Sequence, residues 1–449
     1  MKNQSDLKKE AACDRFSSPE YRRSRTAYLF ECAFEYFVAL LVSDAFLVKL
    51  MKDIGMKDAA IGIVSSLISL AFLFQILSIF IVQKISRVKA FSSSIHFISQ
   101  LMFLTLYLIP FLPCVGDGAY RRVLTVICIL LAYLGKHLVN SMIYTWANSF
   151  VSPMHRAKYG ASKEMVSLIS GMAVTLIIGY VMDAFEMAGN LHGGFLFAAC
   201  GILIFSICDL VCLLMIRDRT KTQEIHERVS IPMREILRGT FGNKAYRSVL
   251  LLTVLWNMAV YTTVSFLGTY RLNPNELALT VGAVQIVNML GNLLRFSISR
   301  PFGLFSDRYS FAKGIELGLG LAICAFTVAA LTSPGNAVKV WVLVILFAML
   351  YHGSQAGISQ NLFTIVYNYV DSRYFVQASA IKNSIGGIFG FLASLLASRL
   401  LAYVQGNGNS LFGIPVYGQQ VLAAISVLFT VAALLVTHFI VAKQRRIIQ

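Results

Sequence analysis

The residues of this chain that could do chemistry sit where charge is costly. The stretch GKHLVNSMIYTW, residues 135–146, carries Lys136 and His137 inside a long apolar run. Lys136, Asn140 and Tyr144 recur every four residues, which places them on one helical face. TVLWNMAVYTTVSF repeats the pattern with Thr253, Asn257, Tyr261 and Ser265, and adds Trp256. His352, Gln355 and Ser359 follow at i, i+3 and i+7, and Glu31 and Glu35 lie one turn apart in the first apolar run. These residue types bind and orient a polar solute. Aromatic rings and amides suit a sugar, and a lysine suits an organic anion. A lysine in hydrocarbon is costly unless it meets a partner or a wet cavity. Glu35 is the expected partner of Lys136. His137 falls off the stripe and is expected to serve helix contact.

These side chains must be held by membrane helices. Hydrophobic residues make up 57% of the 449 and charged residues 14%, with a mean hydropathy of +0.68. A soluble domain needs more charge to cover its surface. Apolar runs long enough to cross a bilayer predict twelve transmembrane helices in an all-α membrane protein. They fall at 27–50, 60–84, 90–113, 122–150, 163–185, 193–216, 248–270, 277–299, 314–333, 338–368, 378–403 and 418–441. With the N-terminus inside, 29 of the 39 Lys and Arg residues face inward and 8 outward, while Lys136 and Arg295 lie within spans. This bias predicts cytoplasmic termini. With a rise of 1.5 Å per residue, Glu35 lies roughly 12 Å and Lys136 roughly 9 Å from the inner face, so an ion pair is feasible.

The segment 217–247 divides the spans six and six. The expected organisation is a tail (1–26), a bundle (27–216), a linker (217–247), a bundle (248–441) and a tail (442–449). The two bundles repeat. VSPMHRAKYGASKEMVSLISG (151–171) aligns without a gap on VDSRYFVQASAIKNSIGGIFG (370–390), matching Lys163 to Lys382 and Gly171 to Gly390. SIGGIFG (384–390) is expected to be a close-packing surface. Asp209 and Arg295 are expected to snorkel or to pair with each other.

The net charge of +17 is spread over short loops, which argues against nucleic acid as a partner and for the anionic inner face of a bilayer. No G-x-x-x-x-G-K-[ST] loop and no H-E-x-x-H motif occurs, so neither an ATP-driven pump nor a metal-assisted enzyme is indicated. No metal site and no cofactor are expected, beyond a coupling proton or sodium ion. Cys208 and Cys212, four apart, lack further ligands nearby in sequence.

GLFSDRYSFAKG (303–314) joins two spans of the second bundle, and its Gly303, Asp307, Arg308 and Lys313 fit a G-x-x-x-D-R-x-G-R/K-R/K pattern in which Ser310 replaces the later glycine. The matching segment of the first bundle, IVQKISRVKAF, has Gln83 in place of the aspartate and keeps Lys84, Arg87 and Lys89. With this motif, the topology and the repeat, the chain resembles the major facilitator superfamily (MFS), as a bacterial member. The resemblance implies that spans one, four, seven and ten line a central cavity. Glu35, Lys136, Asn140, Tyr144, Trp256, Asn257, Tyr261, His352 and Gln355 would then bind substrate, with Glu35, Lys136 and His352 coupling. Gly303, Asp307, Arg308 and Lys313 would form an inner latch, with Asp307 facing Gly160 and Ala161. It implies a monomeric, multi-pass secondary transporter of the plasma membrane, moving a small polar organic solute by alternating access with proton coupling. An exporter of a metabolite or drug, or a transporter-derived membrane sensor, is the alternative. The fifth span lacks the Gly-Pro motif of drug–proton exporters, which favours uptake or facilitated exchange.

Overall fold

A computed structural model describes residues 18–82, 85, 87–113, 118–151, 156–218, 233–370 and 375–444. Gln83 and Lys84 of the first-bundle motif and most of the central linker lie outside the described residues.

The chain is built of helices whose starts are written locally. Helix α1 spans Pro19–Leu41, opened by Ser18, whose side chain accepts from the Tyr21 N–H, with proline at the first position. It begins eight residues before the expected span 27–50 and stops at Val42. A separate α2 then runs Asp44–Asp53, with Asp44 at a φ of 43°. That left-handed turn breaks the span. The next crossing is segmented into α3 (Asp58–Ser65), α4 (Leu67–Ala71) and α5 (Phe74–Val82). Its break at Ser66 accompanies a hydrogen bond from Ser66 Oγ to the Ile63 carbonyl, 2.7 Å. Then follow α6 (Val88–Leu108), α7 (Ala119–Asn148), α8 (Arg156–Met187) and α9 (Leu191–Met215).

A short amphipathic α10 (Met233–Phe241) occupies part of the expected linker. The later helices are α11 (Lys244–Leu272), α12 (Val281–Arg308), α13 (Phe311–Leu331), α14 (Ala337–Thr364), α15 (Phe375–Gly406) and α16 (Gly418–Val436). A two-stranded hairpin, Ser410–Leu411 with Ile414–Pro415, separates α15 from α16.

Among the described residues, eleven helical stretches are long and apolar enough to cross a membrane. Helix α1 supplies the twelfth crossing. It misses that count because Arg25, Glu31 and Glu35 interrupt its most apolar stretch. Several helices overrun their expected bounds. Arg271, one residue beyond the expected span 248–270, is therefore helical, and Lys163, at the expected start of its span, lies two turns inside α8. Likewise the Gly303–Arg308 part of the expected loop is the last turn and a half of α12.

The helices form two compact units. Unit one holds Met1–Val42, Leu77–Pro113 and Ile127–Ser230; unit two holds Ser43–Ile76, Cys114–Val126 and Ile231–Gln449. In unit one, α1 packs on α8 and α9, and α6 packs on α9. A buried cluster that includes Tyr21, Tyr28, Ile143, Trp146 and Leu213 joins α1, α7 and α9. The Lys89 ammonium donates to the Leu214 and Ile216 carbonyls at 2.9 and 2.7 Å, satisfying the free C-terminal end of α9. In unit two, α13 packs on α14 and α11 on α15. The segmented crossing α3–α4 lies against α15 through small residues. A Cβ at Gly387 would collide with the Ser69 carbonyl oxygen, Ser66 and Ser394 share a hydrogen bond of 2.6 Å, and Ser384 donates to the Phe72 carbonyl at 2.7 Å. SIGGIFG is a close-packing surface, as expected.

Candidate functional site

In unit one, α1 and α7 bring Glu35 and Lys136 together. The Lys136 Nζ lies 3.0 Å from Glu35 Oε1, with 17% and 20% of the two side chains exposed. Both bounds assumed for α1 and α7 shift, yet the partners coincide because the depths derived from each end agree within a helical turn. Asn140 and Tyr144 continue the stripe and are exposed. His137 is buried, its ring stacked on Tyr133 one turn earlier with centroids 6.3 Å apart.

A second cation completes this side. Lys163, two turns into α8, lies 4.9 Å from the centre of the Tyr28 ring and 5.8 Å from that of Tyr144. It also donates to the Tyr28 hydroxyl at 3.4 Å. Sequence reading places Lys163 at the first residue of the fifth span, whereas the helix begins seven residues earlier. The repeat aligns Lys163 with Lys382. Lys382 is also intrahelical, 3% exposed, and donates to the Leu362 carbonyl at 2.9 Å.

Unit two places the remaining expected residues differently from one another. Asn257 and Tyr261 lie on the face of α11 that meets the glycines of α15. A Cβ at Gly386 would sit 2.9 Å from Asn257 Nδ2, and one at Gly390 would sit 2.6 Å from the Tyr261 ring. Asn257 also donates to the Thr253 carbonyl at 2.8 Å. Trp256, one position off that stripe, is buried in the apolar core with Leu252, Phe326 and Phe347. His352 and Gln355 are half-buried on α14. The His352 ring lies where a Cβ on Gly291 of α12 would stand, and Gln355 Oε1 accepts from Ser359 at 2.7 Å. Asp307 and Arg308 end α12 exposed, while Gly303 has no neighbour that a side chain would meet. Ser310 caps α13 by accepting from the Lys313 N–H at 3.1 Å. The Arg308 and Lys313 cations flank the Tyr309 ring at 5.6 and 5.4 Å.

Two further charged groups differ from expectation. Arg271 is 5% exposed; it lies 3.7 Å from Asp44 and 5.6 Å from the Phe347 ring centre. Asp44 also accepts from Asn288 at 2.7 Å. Asp209 is 1% exposed and meets His96 at 2.7 Å. It does not snorkel; its nearest charged neighbour within unit one is a buried histidine on α6.

Outside the spans, Glu276 is buried in the α11–α12 connection. It accepts from Gln419 Nε2 at 3.3 Å, and burial followed by the nearby Asp58 carboxylate pushes its carboxyl up to about 7. Asp58 pairs with Lys52 and accepts from Gln405 at 3.2 Å.

Glu35 and Lys136 thus form a charged pair inside two spanning helices. Residues 29–394 match the Major Facilitator Superfamily. The chain belongs to that family: it is a multi-pass membrane transporter and not an enzyme. Solved structures show the same fold. A nucleoside transporter, NupG, matches at 12% identity and a TM-score of 0.67 over 95% of this chain and 100% of its own. A bacterial homologue of the human lysosomal transporter Spinster matches at 14% and 0.66 over 94% and 97%. A peptide transporter, POT, matches at 12% and 0.66 over 93% and 95%. No curated protein sequence matches the chain.

Proposed function

We propose that the protein is a proton-coupled secondary transporter of the plasma membrane that takes up a small organic anion, working as a monomer by alternating access. The observation that carries this reading is the Glu35–Lys136 pair, 3.0 Å apart and partly open. A charged pair in a membrane helix is retained at a cost, and the residues that bear it mark solute or ion pathways. Protonation of Glu35, or an anion drawn to Lys136, separates the partners. Either event changes the free energy of a state that holds the pair relative to one that does not, and that difference is what coupling requires.

Lys163 favours an anion over a sugar. Two ammonium groups, Lys136 and Lys163, stand on the side of unit one that also bears Tyr28 and Tyr144. A carboxylate could meet either cation, with the rings packing against its carbon skeleton. The test is a thermal-shift screen of purified protein against organic acids, sugars, nucleosides and amino acids. Stabilisation by organic acids that disappears in Lys136→Met and Lys163→Met supports the reading. Stabilisation by neutral sugars alone, unchanged in both variants, overturns the anion assignment.

A further inference from the structure

Behind the Glu35–Lys136 pair, one turn earlier on α1, unit one encloses a set of groups that solute binding does not use. Glu31 on α1, His96 on α6 and Asp209 on α9 each offer a ligand atom, and these atoms all lie within 4.8 Å of one another. They are 1%, 3% and 1% exposed. Gln100, one turn along α6 and 2% exposed, adds an amide whose nitrogen lies 3.2 Å from His96 Nε2.

The hydrogen bonding of this pocket does not close. Both Asp209 carboxylate oxygens and Gln100 Oε1 are buried without a well-formed hydrogen bond among the described residues. The His96 Nε2 faces Asp209 Oδ2 and the Gln100 amide nitrogen together. One ring nitrogen cannot donate to the first and accept from the second. Cys32 donates to Glu31 Oε2 at 3.1 Å, which leaves the pocket with more lone pairs than protons. Buried polar atoms are ordinarily satisfied, and each exception calls for a cause.

We propose that Glu31, His96 and Asp209, with the Gln100 carbonyl, bind one divalent first-row transition-metal ion. The ion takes up the lone pairs that lack donors. Two carboxylates and a neutral imidazole around a dication sum to zero charge, as a dry site demands. An imidazole nitrogen with carboxylate oxygens suits zinc, manganese or iron more than calcium or magnesium. Ligands at about 2.0–2.2 Å from a shared ion lie about 3.3–3.6 Å apart in a tetrahedral site and at most about 4.4 Å apart when opposite, so binding draws the most distant ligands together by about 0.4–1.5 Å. Half a turn of the Gln100 amide puts its oxygen where the nitrogen stands now. The ligands come from three helices far apart in sequence, so no short motif announces them. The ion pins α1 to α6 and α9, next to Glu35. This site stands whether or not the transport reading does.

The test is direct binding to full-length protein in detergent, freed of metal with a chelator. Zinc is measured by equilibrium dialysis and elemental analysis, and cobalt by its visible absorption. The result expected is one tight ion per chain. His96→Ala and Asp209→Asn each weaken binding at least tenfold, while His192→Ala and His438→Ala leave it unchanged. If His96→Ala does not fold, Glu31→Gln and Gln100→Leu decide by the same measure. Absence of a tight stoichiometric site in the wild type overturns the proposal, as does tight binding that survives in the folded variants. A cluster that holds protons only gives the first of these outcomes.

Discussion

Removing one member of the Glu35–Lys136 pair leaves the other charged in a poorly solvated place. At 3.0 Å and an effective dielectric of about 20, direct attraction is about 5 kcal/mol. Desolvation takes back much of it, so the pair's net stabilisation is small, whereas an orphaned charge costs about 3 kcal/mol. Lys136→Met and Glu35→Gln should therefore each lower the stability of purified protein by about 3 kcal/mol in reversible denaturant unfolding. The double variant should recover most of that loss, a coupling that a double-mutant cycle measures. Transport should not recover: all three variants should fail to accumulate solute in proteoliposomes under an imposed proton gradient. A Lys136→Met protein with wild-type stability and wild-type, gradient-driven accumulation would refute the reasoning, reduce the pair to packing, and leave His352 as the group to test for coupling.

Lys163→Met should weaken organic-anion binding about tenfold with a small effect on melting, since its half-buried cation–π contacts are worth about 1–2 kcal/mol; titration calorimetry checks this. Glu276 titrates near 7 in the folded protein against an ordinary 4.5, so the folded state holds the extra proton between those values. Stability should then fall as pH rises from about 4.5 to about 7 and level off above, and Glu276→Gln should flatten that slope in melting temperature. Gly387→Ala forces a methyl against the Ser69 carbonyl oxygen and should cost about 1–3 kcal/mol by denaturant unfolding, whereas alanine at Gly303, which meets nothing, should be nearly silent.

The twelve crossings and the α1–α7 ion pair were legible because hydropathy and helical period are local properties of the chain. The reading lost accuracy at helix ends. Arg271 falls just past its expected span and Lys163 at the edge of its own, yet each lies inside a helix where a carboxylate or a ring receives it. Trp256 shows the opposite failure. Its position beside a polar stripe suggested a binding face, but one residue turns a helix by about 100°, and Trp256 points into the core. His96 and Asp209 were isolated polar residues in two apolar runs. Only tertiary packing pairs them, and single-sequence periodicity carries no information about which helices adjoin.

The measurement closest to the central claim is substrate-driven proton movement. Wild-type protein and Lys136→Met are reconstituted into proteoliposomes that enclose a pH-sensitive dye, and solutes that stabilise the purified protein are added outside. The account predicts internal acidification on addition of an organic acid anion by the wild type and none by Lys136→Met. Solute uptake by the wild type with no accompanying proton movement, or equal acidification by both proteins, would contradict it.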